Sequence, residues 1–303
     1  MSEEPTSPVG TFAAPRAPDP VRGGLSRPDP PLSPTFRRRR VTPVLLWGSF
    51  LGGAGLLVSG AAPMWAVLGG MGSFAVARSV WQGWRTVRWK QQLQRAFTHL
   101  QEREIDLAEE QFLRAARSAT TAAEHAVATL HAGRVSTLQG DLGEALRRGA
   151  VAANSTALAE TDAATSAYAM SWVALCYALL GDLEAASGWV ARARRAQERL
   201  RPLLHHVDFA EAVLRCRQGR FQEAIELLRD AHAELAATLT AAEMSQVRLV
   251  EAFCLHHLGG RGADVLVAAE LPNPADVRAL VQQWTQMRAF LLEYAPPEAN
   301  LLD

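Results

Sequence analysis

The sequence is poor in the residues on which most enzyme active sites depend. It contains a single lysine, Lys90, which excludes a lysine-based phosphate or Schiff-base site over nearly all of its 303 residues. The nucleotide-binding patterns GxxxxGK(S/T) and GxGxxG and the catalytic patterns HExxH and GxSxG are all absent. We therefore predict that the protein is not an enzyme, that it has no catalytic residue and that it binds no cofactor.

Cysteine is also scarce, and its three residues are isolated in the sequence. Cys176, Cys216 and Cys254 form no CxxC pair. Three thiols cannot all pair within one chain, so they favour buried, reduced cysteines in a reducing compartment. Cys254 and His257 are three residues apart and share a helix face, but zinc usually takes four ligands. We predict no bound metal.

Charge is distributed unevenly, although the formal net charge is zero. Residues 1–40 carry a net charge of +3, residues 41–90 carry +4 without one acidic residue, and residues 91–303 carry −7. Because an acidic body repels nucleic-acid phosphates, we expect no nucleic-acid partner. Residues 1–40 also hold nine of the 16 prolines and end in four arginines, which predicts a disordered arm on the cytoplasmic side.

Two long apolar runs follow this arm. The first occupies residues 41–60 without a charge, and the second begins at Met64. A bilayer core needs about 20 helical residues. The runs therefore predict a transmembrane helical hairpin within residues 41–85, with spans over about 43–60 and 64–81. No proline interrupts the chain after Met64 until Pro202, so we expect the second span to continue as a helix into the body.

Basic residues flank the two runs and give the predicted orientation. Four arginines end the arm, and Arg85, Arg88 and Lys90 follow the second run, whereas the short loop between the runs has no charge. The positive-inside rule then predicts a protein of the cytoplasmic (inner) membrane with both termini in the cytoplasm. Gly48 and Gly52 form a GxxxG pair that offers a small face for self-association or for packing of the two spans.

Two other interpretations of the apolar block remain open. It fits the buried core hairpin of a soluble protein. It also fits a secretory signal with a small-residue cleavage site ending at Ala62, although a proline and a second apolar run follow at once.

A turn recurs along the body of the chain. Glycine occupies it at positions 140, 181, 219 and 259, and Arg103 takes that place in an earlier copy, with spacings of 37, 41, 38 and 40 residues. Glycine permits the left-handed conformation in which many helices end, and an alanine five residues after each of the first four turns lets two helices approach closely. We therefore predict pairs of helices around the turns, with first helices over about 88–101, 121–139, 161–180, 203–218 and 241–258 and second helices over about 105–118, 142–155, 183–200, 221–237 and 262–270.

Small and aromatic residues recur at fixed offsets around these turns: Ala96, Ala108 and Phe112; Gly133; Ala174, Tyr177 and Ala186; Ala212, Phe221 and Ala224. The pattern resembles the tetratricopeptide repeat (TPR) over residues 86–270, with a longer period than that family's 34 residues and without its closing proline. The resemblance implies an all-α solenoid of about five helical hairpins. Within residues 271–303, Asn273 and Pro274 predict the start of a helix that caps the last repeat.

The resemblance also implies a concave groove lined by the first helix of each pair. The lining residues that it implies are Arg134, Thr137, Tyr168, Ser171, His206, Phe209, Val213, Cys216, Gln246, Phe253 and His256. An apolar and aromatic lining with few cations suits an amphipathic helix or an extended apolar segment of a protein or peptide partner. The alternative is that some of these residues pack under the capping helix.

These observations lead to an expected function. We expect a membrane-anchored, TPR-like scaffold or adaptor that recruits partner proteins to the cytoplasmic face of the membrane. Two alternatives stay open: a structural subunit of a membrane-embedded machine that self-associates through the Gly-rich hairpin, and a periplasmic or secreted solenoid if the apolar block is a signal sequence.

Overall fold

The computed structural model describes residues 64–198, 200, 206–260 and 274–294, with the side chains of residues 64–78, 82 and 274–276 excepted. The predicted arm over 1–40, the predicted first span over 43–60 and the predicted helix over 262–270 lie outside the described residues. These three expectations therefore stay predictions.

All regular secondary structure in the described part of the chain is helical, which confirms the all-α class. The helices are α1 (Met64–Gln101), α2 (Ile105–Ser118), α3 (Ala122–Leu138), α4 (Leu142–Ala153), α5 (Thr156–Thr161), α6 (Ala163–Leu180), α7 (Leu183–Gln197), α8 (His206–Arg217), α9 (Phe221–Asp230), α10 (His232–Thr238), α11 (Ala241–His257), α12 (Pro274–Gln283) and α13 (Thr285–Tyr294).

Each predicted turn adopts the left-handed backbone conformation. The φ angles are +85° at Gly140, +86° at Gly181, +77° at Gly219 and +74° at Gly259. Arg103, which stands where the other copies have glycine, has a φ of +62°, and it is the one non-glycine residue in the described ranges with a positive φ. The turn positions predicted from the sequence are therefore confirmed, including the copy that lacks glycine.

Two types of residue that follow the turns begin the next helix and pack it against the previous one. Asp141 and Asp182 follow their glycines directly, and their side chains accept hydrogen bonds from the backbone N–H groups of Glu144 and Ala185. The alanines five residues after the first four turns are fully buried: Ala108, Ala145, Ala186 and Ala224. A larger side chain at these positions would push the paired helices apart.

The helices pack mainly against their neighbours in sequence. The pairs α1–α2, α3–α4, α6–α7 and α8–α9 make extensive contact, and each pair also contacts the next one, for example through α2–α3 and α4–α6. This sequential packing is what an array of helical hairpins has, because one hairpin alone cannot bury its apolar face. Membership of the TPR family stays a prediction.

Three features differ from the predicted helix boundaries. Ser155 accepts a hydrogen bond from the Leu158 N–H and begins the short helix α5, which lies in the interval between the helices predicted over 142–155 and 161–180. The helix predicted over 221–237 breaks at Ala231 into α9 and α10. The predicted capping helix is divided at Trp284 into α12 and α13.

The second apolar run lies at the start of α1, which continues without interruption to Gln101 and so confirms the predicted continuous helix. Within the described part of the chain, one helix is both long and apolar enough to cross a membrane, and it is α6. Of that helix, 61% is buried inside the molecule, which fits a core helix of the array. The two predicted spans stay predictions.

Candidate functional site

We use the term inner face for the eleven residues that the sequence analysis placed in the groove. They lie on four helices: Arg134 and Thr137 on α3; Tyr168 and Ser171 on α6; His206, Phe209, Val213 and Cys216 on α8; Gln246, Phe253 and His256 on α11. Helices α3, α6 and α8 are the first helices of three successive pairs, and the predicted second helix of the α11 pair lies outside the described residues.

Most of the inner face is closed to solvent. Thr137, Ser171, Phe209, Val213, Cys216, Gln246 and Phe253 are buried, and Arg134, Tyr168, His206 and His256 are half-buried. Phe253 is only 1% exposed. A partner can reach these side chains only if something that covers them moves.

An ion pair closes one part of the inner face. The Arg134 guanidinium on α3 donates to the Glu243 carboxylate on α11 at 2.6 Å, across 109 residues of sequence. The Arg134 side chain also lies over the Tyr168 ring at 5.7 Å, and the Tyr168 ring meets His206 edge-on at 4.6 Å. The polar residues of the inner face are therefore engaged with one another inside the molecule.

Burial and charge act in opposite directions on Glu243. Burial would raise the pKa of its carboxyl, but the charge of Arg134 and the hydrogen bonds from Thr240 outweigh it and hold that pKa below its usual range. Burial also raises the pKa of the Tyr168 hydroxyl well above its ordinary value. Glu243 is thus an anion and Tyr168 a neutral phenol at any physiological pH.

Glu243 was missed by the sequence reasoning. Its only local signal is its place in a capping box, in which Thr240 accepts from the Glu243 N–H and the Glu243 side chain accepts from the Thr240 N–H. That signal predicts a helix start. It carries no information about an arginine that lies 109 residues earlier.

A small cavity lies beside this ion pair. Its volume is about 10 Å³, room for about one water molecule. The lining includes inner-face residues and their neighbours: Tyr168, Ser171, Trp172, Leu175, His206, Phe209, Leu239, Glu243 and Gln246.

The C-terminal helices cover the other part of the inner face. Helix α12 contacts α11, and it also contacts α3 and α6, which belong to much earlier pairs. The Trp284 ring meets the Phe253 ring at 5.2 Å, and the Arg217 guanidinium lies over Trp284 at 5.1 Å. Further along, the Tyr294 hydroxyl is 3.0 Å from Nδ1 of His256. The predicted helix over the last repeat is therefore also a helix across the inner face.

The Gly140 turn lies beside helix α12. A Cβ atom at Gly140 would meet the amide end of the exposed Gln282 side chain on α12, which can rotate away. By contrast, a Cβ at Gly219 would meet nothing within 4 Å. The requirement for glycine at position 140 therefore comes from its left-handed backbone conformation.

The three cysteines are buried. Cys176, Cys216 and Cys254 are free thiols, as expected from the sequence, and the Sγ atoms of Cys216 and Cys254 are 3.2 Å apart between α8 and α11. Burial raises the pKa of Cys176 to about 12, and burial together with the neighbouring Cys254 thiol raises the pKa of Cys216. Because a neutral thiol is a poor nucleophile, neither Cys176 nor Cys216 has the character of an activated cysteine.

One side of α1 exposes large apolar residues. Val80, Trp81, Trp84 and Val87 are each at least half exposed, and the Trp81 and Trp84 rings are 5.5 Å apart. The Arg88 guanidinium lies over Trp84 at 5.3 Å. On the other side of α1, Trp89 packs in a buried cluster with alanines of α2 and α3. We call the exposed set the α1 stripe.

A group of possible metal ligands lies at the first turn and was not predicted. His99, Glu102 and Glu104 bring ligand atoms within 4.8 Å of one another. The Nδ1 atom of His99 and the Glu104 carboxylate are already 2.5 Å apart, in hydrogen-bond contact. All three residues are at least partly exposed, so this surface contact accounts for their proximity.

Comparison with models of protein families, with curated proteins and with solved structures finds no match for this chain. The resemblance to the TPR therefore rests on the recurring turns and on the residues around them.

Proposed function

We propose that this protein is a membrane-anchored scaffold or adaptor, built from TPR-like helical hairpins, that recruits partner proteins to the cytoplasmic face of the membrane and catalyses no reaction. The observation that carries the proposal is the series of five left-handed residues, Arg103 and the four glycines, of which the first four lie between successive helices of the described residues. Arrays of helical hairpins serve widely as surfaces for protein or peptide segments.

The α1 stripe supports attachment to a membrane. Exposed tryptophans beside arginines are typical of the bilayer interface, where an indole ring lies at headgroup level and a cation meets anionic lipid. Trp81 and Trp84 lie directly after the second apolar run, on the same uninterrupted helix, with Arg85, Arg88 and Lys90 around them. A stripe of this size would otherwise be an exposed apolar patch without a partner.

The chemistry of the inner face supports binding of apolar helices. It consists of aromatic rings and of an ion pair whose two charges offset each other, and neither selects a charged ligand. Because the Arg134 guanidinium is already paired with the Glu243 carboxylate, it does not offer a free positive charge to the C-terminal carboxylate of a peptide.

Fractionation of cells tests the anchor. We expect the full chain to stay in the membrane pellet after a carbonate wash, and a C-terminal green fluorescent protein to be bright while a C-terminal alkaline phosphatase is inactive. Release of the chain into the supernatant would contradict the anchor. An active phosphatase would contradict the cytoplasmic orientation and favour the periplasmic alternative.

A charge-matched pair of variants sharpens this test. Replacing Arg85, Arg88 and Lys90 by Glu removes the positive charge after the second run, and the same number of Arg→Glu changes at the exposed Arg114, Arg147 and Arg220 is the control. The first set should reduce the correctly oriented fraction several-fold, whereas the control should leave it unchanged. Equal effects of the two sets would contradict the proposal that the positive charges after the second apolar run set the orientation.

A further inference from the structure

Helix α12 has the pattern of a bound ligand helix. Val277, Leu280 and Val281 on α12, and Trp284 directly after its last residue, are each at most 1% exposed, and they follow one another at positions i, i+3, i+4 and i+7. This spacing places the three α12 residues on one face of the helix, and Trp284 is buried at the break that follows it. The next polar residues, Gln282 and Gln283, are exposed.

The surface on which α12 packs, here called its seat, is formed by helices that are far apart in the sequence. A helix that only capped the last repeat would contact α11 alone, whereas α12 contacts α11, α6 and α3. The helix thus crosses three of the four helices that carry the inner face, which is the path that a helix bound in a groove takes.

The seat also provides an aromatic ring and a cation that contact Trp284. The Trp284 ring lies 5.2 Å from the Phe253 ring and 5.1 Å from the Arg217 guanidinium. Ring edges and a cation over an indole are the contacts by which grooves anchor a tryptophan.

We propose that the inner face is a binding site for an amphipathic helix, that α12 is its resident occupant, and that a partner protein binds by replacing α12. The partner helix carries apolar residues at i, i+3, i+4 and i+7, with a tryptophan or another large aromatic residue at the last position. The proposal rests on the adaptor function, and it adds that the adaptor is closed until α12 leaves.

The test uses a fluorescent peptide of residues 274–294 added to the full chain in lipid nanodiscs, with binding followed by anisotropy. In the chain variant Leu280→Asp plus Val281→Asp, α12 carries charges on its buried face and leaves its seat. We expect this variant to bind the peptide at least tenfold more tightly than the unaltered chain does.

Matched controls separate the seat from the lipid. The chain variant Gln283→Asp plus Gln286→Asp adds the same two charges on exposed positions and should bind the peptide no better than the unaltered chain. A peptide that itself carries Leu280→Asp and Val281→Asp should bind neither chain. Empty nanodiscs measure the binding of each peptide to lipid, which is subtracted.

Equal affinity of the peptide for the unaltered chain and the variant would overturn the proposal, since the seat would not be what α12 occupies. Absence of binding to a variant that keeps its circular dichroism would also overturn it, because the inner face would then be a core. Should that variant lose its helix content, Trp284→Ala replaces it, with an expected gain of about threefold or more. No gain with Trp284→Ala would count equally against the proposal.

A second copy of the chain is the competing occupant. Light scattering of the unaltered chain in nanodiscs or detergent decides it: a dimer that the peptide dissociates would assign the seat to another copy and overturn the proposal. Failure of the peptide test leaves the fractionation result intact, and failure of the anchor leaves peptide binding intact, so the two proposals fail separately.

Discussion

At the scale of single residues, the buried Arg148 shows how this largely apolar array tolerates charge. Its guanidinium on α4 donates to Glu109 on α2, to Glu144 on its own helix and to the Ala132 carbonyl on α3. The side chain is 9% exposed. One arginine thereby joins three consecutive helices.

Removing this side chain should be costly, whereas removing its neighbour should not. Arg148→Ala leaves the partly buried Glu109 without its cation and leaves Glu144 with Arg147 alone, and should lower the free energy of unfolding by about 2–4 kcal/mol. Arg147→Ala breaks only an exposed pair with Glu144 and should change it by less than about 0.5 kcal/mol. Urea unfolding followed by circular dichroism measures both. Similar losses in the two variants would contradict this assignment.

His131 gives the protein a pH dependence of known sign. Burial, assisted by the charge of Arg134, lowers the pKa of His131 from 6.5 to about 3, and its ring packs against Phe97 and Phe112. Below pH 6.5 the unfolded chain takes up a proton that the folded chain refuses until about pH 3. Folding stability from this residue is therefore complete above pH 6.5 and is lost as the pH falls.

The expected loss at pH 4.5 is about 3 kcal/mol relative to neutral pH. His131→Leu removes the titrating ring and should reduce the fall in stability between pH 7 and 4.5 by about that amount, as measured by urea midpoints. His232→Ala, at an exposed position, is the control and should keep the full fall. An unchanged pH profile in His131→Leu would refute the assignment.

At the scale of elements, the turns explain why the helix pairs could be located from the sequence. A left-handed residue ends one helix, and the buried alanine five residues later fixes the distance to the next, so both signals are local. The short helix α5 after Ser155 was not predicted, and neither were the breaks at Ala231 and Trp284, because helical periodicity continues through both of those residues. The packing of neighbouring helices, which a sequence window does not contain, decides those breaks.

Substitutions at two of the turns should change the stability of the fold in opposite directions. Gly219→Ala adds a Cβ that touches nothing, so it isolates the strain of a left-handed alanine and should destabilise by about 1–2 kcal/mol. Arg103→Gly relieves the same strain and should stabilise by up to about 1 kcal/mol, since part of the gain is lost to the entropy of glycine. Thermal midpoints measure both changes. A destabilised Arg103→Gly would show that the Arg103 side chain matters more than its backbone.

Helix α1 connects the second apolar run to the first helix pair without a hinge. Inserting Gly-Gly-Pro after Arg88 should break it, whereas inserting three alanines should lengthen it by about 4.5 Å. Energy transfer from a dye on Leu258, which is exposed, to acceptors in the nanodisc lipid reads the distance. We expect one distance in the unaltered chain, a shifted one with alanines and a broad distribution with Gly-Gly-Pro. A broad distribution in the unaltered chain would contradict a stiff connection.

At the scale of the whole molecule, the burial of the inner face could not be predicted from the sequence. The groove residues were placed on the correct helices by counting back from each turn, because that depends on local register. Whether the helices curve enough for α3 to touch α11, and for α12 to cross both, depends on small angles accumulated over several pairs. Residue periodicity does not encode those angles, so the burial of Phe209 and Phe253 was left open.

The ion pair between Arg134 and Glu243 depends on that curvature. It forms only if α3 and α11 meet, so it couples residues 109 positions apart. Arg134→Met and Glu243→Gln should each lower the free energy of unfolding by about 2–4 kcal/mol, because each leaves a charge buried without its partner. The double variant should lose about 1–3 kcal/mol less than the sum of the two, since nothing unpaired remains.

A control pair makes the cycle decisive. Arg220 and Glu223 form an exposed pair, with 45% of each side chain accessible, and the same cycle there should give a coupling below about 0.5 kcal/mol. If Arg134 and Glu243 are no more strongly coupled than this surface pair, then α3 and α11 do not meet in solution and the inner face is open. In that case a partner would reach the groove without displacing α12, and the peptide of residues 274–294 would bind the unaltered chain. The double-mutant cycle and the peptide experiment therefore test one geometry by two independent measurements.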